Sequence, residues 1–207
     1  NGEEWLCYHA MHEGGRKLFV ETKWPWGLAV FTKRRETVPS RRDLATGALE
    51  QAVAMSSAEQ NGDYYVGFKA WDEYVKMLKG LLAAGEEKRK GSMHGNAWIY
   101  ECLAQYRACA AGYLRTIAGE FGDDAATHLS KAAELYGKIA NSVLRDETHC
   151  VVSIAPYPWS LKKGESWTDE QLKDQIARLE AALPLEREAI GEMQKALALM
   201  DEQGKSG

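Results

Sequence analysis

Apolar residues recur every three or four positions along most of this chain, and they do so most densely over 96–121, NAWIYECLAQYRACAAGYLRTIAGEF. With successive residues about 100° apart, Trp98, Ile99, Tyr100, Cys102, Leu103, Tyr106, Cys109, Ala110, Tyr113, Leu114, Ile117 and Phe121 fill roughly two thirds of a helix circumference. A helix at the edge of a globule needs only one apolar stripe. This one is expected to be covered on several sides, as the central member of a bundle. Arg107 interrupts its apolar side, and two readings follow. Either the guanidinium snorkels or pairs structurally, or its planar fork holds a carboxylate or phosphate in a pocket.

The same rhythm predicts the neighbouring helices. Ser40 is a plausible N-cap for a helix through about Ser57 that buries Leu44, Leu49, Val53 and Ala54. SAEQNGD breaks it, and a second helix follows from about Val66 to Leu82 with Phe68, Trp71, Tyr74, Val75, Leu78 and Leu81 on one face. Gly85 to Gly95 reads as a charged, glycine-flanked loop that delivers the chain to Asn96 as N-cap. Backbone donors at such a glycine-rich helix start can hold an anion, though ordinary capping accounts for the residues. After Gly122 a helix capped by Asp123 or Asp124 reaches about Leu144, burying Ala126, Leu129, Ala133, Tyr136, Ile139, Ala140 and Val143. RDETHCVVSIAPYPWSLKKGES is a long loop with an extended piece at Val151 to Ile154, and Tyr157 and Trp159 either line a cover or plug the end of the bundle. Thr168 and Gln171 form a capping box for a helix to Leu183. Pro184 then opens a last helix that ends near Met200. Leu172, Ile176 and Leu179 would face Ile190, Met193 and Leu197 in a helical hairpin, with Glu and Lys as a solvated outer face.

The first forty residues differ in character. KLFVET and GLAVFTK are short, β-branched and aromatic, and Lys23-Trp24-Pro25-Trp26 separates them like a turn. They read as two strands that either pack on the helices or finish a sheet begun upstream, the second being favoured because the chain opens on Asn1, as a processed, trimmed or excised chain would. The predicted fold is therefore mainly α: five to six helices in a bundle around a central buried helix over 96–121, with a small N-terminal β-hairpin or sheet remnant. The division is a β segment over 1–39 and a helical domain over 40–207.

Composition narrows the function classes. The 207 residues are 45% hydrophobic and 27% charged, as in folded proteins, and the net charge of −4 argues against a general nucleic-acid partner. The basic run Lys33, Arg34, Arg35, Arg41 and Arg42 lacks interleaved aromatics and reads as a solvated linker. No apolar run approaches a membrane span. Cys7, Cys102, Cys109 and Cys150 form no CxxC pair, and Cys102 and Cys109 sit about two turns apart on the buried arc, too far for a disulfide. Free thiols point to a cytoplasmic setting. Cys7, His9 and His12 cluster without a recognised metal spacing, so neither metal nor cofactor is expected. A Cys–His enzyme built on Cys7 with His9, or on His149 with Cys150, would need pairing between residues that rarely face one another. The residues that would wall a ligand pocket are Trp71, Asn96, Trp98, Tyr100, Glu101 and Arg107, with Glu101 suited to an amine and Arg107 to an acid. The alternative for all six is a packed core.

GLAVFTKRRE leading into a helix, YYVGFKAWDEYVKML, the charged gap, GNAWIYECLAQYRACAAGYLR and the terminal helices rich in Glu, Ala and Leu together resemble the helical half of the butirosin-biosynthesis H-type family, over roughly residues 24–200. The resemblance implies a papain-like, cysteine-dependent domain upstream of a helical domain, and acyl transfer from a carrier protein to an amino sugar as the family's characterised chemistry. The family's nucleophilic Cys and its partners belong to the upstream domain, and no residue of this chain matches them. The expectation is a non-catalytic helical domain that contributes a small-molecule or peptidyl substrate pocket to that upstream domain. A stand-alone Cys-dependent hydrolase or acyl transferase and a purely structural or homo-oligomerising bundle are the alternatives.

Overall fold

A computed structural model describes residues 5–7, 17–19, 37–163 and 165–204, with side chains over 37–163 and 165–200. The chain divides into two compact units, Asn1–Val38 and Pro39–Gly207. In the first, β1 (Trp5–Cys7) pairs antiparallel with β2 (Lys17–Phe19), placing Trp5 opposite Phe19 and Cys7 opposite Lys17. A strand at 17–19 was expected, but its partner is 5–7. The second predicted strand, GLAVFTK, lies outside the described residues, as do His9, His12 and the run Lys33 to Arg35.

The second unit is mainly helical, and six α-helices lie among the described residues. Ser40 starts α1 (Arg41–Ser57) with a capping box: its Oγ accepts from Asp43 N at 3.0 Å, and Asp43 Oδ2 accepts from Ser40 N at 3.1 Å. The buried face of α1 is Ala45 and Leu49. Leu44 and Ala54 are exposed, one register away from the expected stripe. The predicted break is a hairpin, β3 (Gln60–Asn61) with β4 (Tyr64–Tyr65), turned at Gly62 with φ +60°. It feeds α2 (Gly67–Ala84) through Gly67, which has φ +55°. A Cβ there would lie 2.2 Å from the Ser56 carbonyl oxygen, so only glycine lets α2 start against the end of α1.

Helix α3 runs from Glu86 to Ala118, so the expected loop at 85–95 is its first turns and Asn96 is an interior residue, not a cap. Gly85, at φ +86°, is the break that occurs there. EEKRK is made of good helix formers, Glu86 and Glu87 sit at the positive end of the helix dipole, and Met93 is buried. An Arg89–Asp169 ion pair adds a tertiary anchor. Together these outweigh Gly91 and Gly95, which cost about 1 kcal/mol each.

Helix α4 (Asp123–Lys138) buries Ala125, Leu129, Ala132, Ala133 and Tyr136 and continues as a π-helical turn, Ile139–Val143. The expected extended piece at 151–154 is instead a single turn, α5 (Val151–Ile154), which puts Val151 and Ile154 on one buried face. A 3₁₀ turn follows at Pro158–Ser160. Thr168 and Gln171 form the predicted box at the head of α6.

The expected terminal hairpin is not formed. α6 is one helix, Asp169–Gly204, with Pro184 inside it. Proline removes one N–H donor from the ladder, and burial of Leu179 and Ala182 before it and Ala189 and Ile190 after it carries the helix through. Leu172, Ile176, Leu179, Ile190 and Met193 are thus successive turns of one stripe. α6 packs against α1, α2, α4, α5 and the π turn. The Glu residues of α6 are not all a solvated face either: Glu186 and Glu192 are buried.

Glu192 is 3% exposed and takes Lys195 Nζ at 2.9 Å, His128 Nδ1 at 2.6 Å and Lys131 Nζ at 3.0 Å. Hydrogen bonds from Lys195 first, then His128, pull its pKa down from 4.5 to about 2. A depressed folded-state pKa gives stability that is complete above the unfolded value and lost as pH falls toward the folded one. Melting temperature measured against pH should therefore fall between 4.5 and about 2. Glu192→Gln should lower it at neutral pH and make the acid limb shallower; an unchanged limb would contradict this account.

Candidate functional site

Helix α3 does not bury its whole apolar arc. Trp98, Ile99, Tyr106 and Tyr113 are exposed, Tyr106 by 63%. Cys109 is exposed and Cys102 half-buried, so neither is a core residue on a buried arc. Part of the uncovered side is one wall of a cleft of about 880 Å³, formed by Ile99, Leu103, Tyr106 and Ala110 at alternating four- and three-residue spacing. The facing wall is Phe68, Trp71, Tyr74 and Met77 of α2. Ala52 and Met55 of α1 and Tyr64 and Tyr65 of the hairpin close one end.

Tyr136 of α4 and Glu186 and Ile190 of α6 also line the cleft, where Arg107 meets them. Arg107 donates from Nε to Glu186 Oε2 at 3.0 Å and from Nη2 to Oε1 at 2.8 Å. Its guanidinium carbon lies 5.4 Å from the Trp71 ring centroid. Burial, then the Glu186 charge, raises the Tyr136 hydroxyl pKa, so that group stays a neutral donor. The ion pair makes this part of the cleft electrically neutral. Nη1 is left without an acceptor among the described residues.

Of the six pocket residues predicted from sequence, the structure brings Trp71 and Arg107 together at the cleft. The other four lie elsewhere. Asn96 is buried, accepting from Tyr74 Oη at 2.8 Å and from Gln175 Nε2 at 2.9 Å. Tyr100 is fully buried and donates to the Leu144 carbonyl at 2.8 Å. Glu101 accepts from Tyr157 Oη at 2.6 Å, and Trp98 is exposed beside His94. The acid that Arg107 holds is the chain's own Glu186.

The residues lining the cleft include no Cys, His or Lys. Ser56 donates its hydroxyl to the Val53 carbonyl, and Glu73 is paired with Lys69 and Lys76. Among the described residues no group of His, Cys, Asp or Glu could hold a metal, and no helix is long and apolar enough to cross a membrane. Comparison with protein-family models, curated proteins and solved structures gives no match.

Two expectations test this geometry. Arg107→Met leaves Glu186 buried and unpaired and should cost about 3 kcal/mol in urea unfolding, while pairing it with Glu186→Leu should recover most of that. A double variant as unstable as the single one would mean the pair is not the cause. The second concerns His149 and Cys150. His149 Nδ1 faces Asp146 Oδ1 at 3.1 Å, and hydrogen bonding from the Ser153 backbone and then its side chain lowers the Cys150 thiol pKa. More thiolate at neutral pH makes Cys150 faster to alkylate than Cys109, the other thiol exposed among the described residues. Peptide mapping after brief iodoacetamide treatment should show Cys150 labelled before Cys109; equal labelling of the two would refute it.

Proposed function

We propose that the helical unit is a binding domain whose cleft takes the apolar, ring-containing body of a small molecule or of an acyl or peptidyl segment. The observation that carries this is a contiguous aromatic lining left open to solvent around a neutral ion pair. Exposed Tyr64, Tyr65, Met77, Ile99 and Tyr106 all belong to the cleft, and a patch of this kind marks a contact site. Its volume falls in the range of small-ligand sites. Because Glu186 already neutralises Arg107, the matching ligand group is a neutral acceptor such as an amide or ester carbonyl, which Arg107 Nη1 would meet. A carboxylate would have to compete with Glu186. The resemblance to the helical half of the butirosin-biosynthesis H-type family supports a role for the cleft in holding substrate for a papain-like, cysteine-dependent domain.

Titration with the neutral fluorophore N-phenyl-1-naphthylamine tests the reading. Saturable one-site binding is expected, with a rise in melting temperature. Tyr106→Asp or Leu103→Arg should abolish both while the helical circular dichroism remains. A bundle that shows neither saturation nor a thermal shift would be structural only.

A further inference from the structure

On a different face of α3 from the cleft stands a second group of rings. His94 of α3 meets Tyr157, which precedes the 3₁₀ turn, and Trp159 within it, while Trp98 of α3 touches the group through His94. Tyr157 and Trp159 stack with centroids 4.5 Å apart and planes 17° apart. His94 meets Trp159 edge-on at 5.0 Å and lies 6.3 Å from Trp98. Trp159 is 67% exposed and Trp98 59%. The platform is held rigid from beneath: Tyr157 is buried and donates to Glu101, and Ser160 Oγ donates to the Tyr157 carbonyl at 2.8 Å. An exposed indole stacked on a ring anchored in this way, as Trp159 is on Tyr157, is of no use to the core.

The same turn borders a polar pocket of about 320 Å³, lined by Lys90, Met93, Pro158, Leu161, Lys162, Lys163, Glu165 and Ser166. Lys90 is shared with Glu86 and Glu87, and Glu165 Oε2 accepts the Lys162 backbone N–H at 2.8 Å. The Lys162 and Lys163 ammonium groups have no carboxylate partner among the described residues. An exposed ring next in the chain to Pro158, which lines a pocket holding three lysines and one carboxylate, matches a ligand that joins a flat π-system to a phosphate. Neutral sugars would leave the lysines unused. A nucleic-acid strand would need a track of cations, and the chain's net charge of −4 opposes one.

We propose that this surface is a nucleotide site, in which the base of a free nucleoside phosphate stacks on Trp159 and its phosphate enters the pocket at Lys162 and Lys163. The proposal is independent of the cleft. Calorimetric titration of the full chain with AMP at low salt tests it. One saturable site is expected, with adenosine and inorganic phosphate each binding at least about tenfold more weakly. Trp159→Ala, at an exposed position, should weaken AMP about tenfold. Joint replacement Lys162→Gln and Lys163→Gln should weaken it and flatten its salt dependence. Tyr106→Asp, which disables the cleft, should leave it unchanged. No binding of AMP up to several millimolar, binding unaffected by both the Trp159 and the lysine variants, loss of binding in Tyr106→Asp, or tighter binding of oligo-dT or maltohexaose would overturn it.

Discussion

The ion pair between Arg107 and Glu186 is the constraint on which the helical unit turns. It joins the middle of α3 to the middle of α6 with two hydrogen bonds of 3.0 and 2.8 Å. A carboxylate and a guanidinium removed from water recover their solvation only in this two-point geometry, so the separation and register of the two helices are set more tightly than apolar contacts would set them. Trp71 lies against the guanidinium and Tyr136 against the carboxylate, which brings α2 and α4 into the same arrangement. A second polar knot, Tyr74 with Asn96 and Gln175, repeats the device among α2, α3 and α6. Burial drives the Tyr74 hydroxyl pKa upward, keeping it the neutral donor that Asn96 needs.

These two knots explain why a cleft exists at all. An all-apolar seam between α2 and α3 could slide shut and bury Ile99, Tyr106 and Met77. Hydrogen bonds at fixed length cannot be kept while the helices slide, and an unpaired buried charge costs more than the exposed rings do. Gly67 adds a third restraint by wedging the start of α2 against the Ser56 carbonyl, which positions the Tyr64–Tyr65 hairpin at the end of the opening. The cleft is therefore maintained by groups that face inward.

Much of this was legible from the pattern of residues, and the exceptions have identifiable causes. Helix existence, the Ser40 N-cap, the Thr168 box and the mainly α class follow from periodicity and capping chemistry. The loop predicted at 85–95 failed because two glycines were given more weight than the helix formers between them. The hairpin predicted at Pro184 is absent because a proline suited to the first turn of a new helix is also tolerated inside one when buried residues flank it on both sides. The missed partner of Arg107 was present in the same rhythm: Leu179, Ala182, Glu186, Ala189, Met193 and Ala196 keep three- and four-residue spacing. Glu186 occupies an inward position of that stripe, as Glu192 does between Ala189 and Ala196. Assigning every glutamate of α6 to a solvated face hid both. No local signal says which buried acid meets which buried base, because positions 107 and 186 are brought together by tertiary packing alone.

The wide apolar arc of α3 carries the broader argument. Apolar positions on a helix show where water is excluded in some state of the molecule, and folding of this unit alone need not be that state. Here the arc includes a part covered by α4, α5 and the π turn, a part facing the cleft, Trp98 with the ring platform, and Tyr113, which is exposed apart from both surfaces. The covered part accounts for stability. The cleft and platform parts retain large side chains at positions where polar residues would serve a solitary bundle better, and each adjoins cationic or donor groups, Arg107 in one case and the lysines of the neighbouring pocket in the other. Apolar surface alone gives adhesion without orientation; the adjoining polar groups are what would fix a ligand's direction. That combination is the physical reason for reading both surfaces as places where other molecules bind.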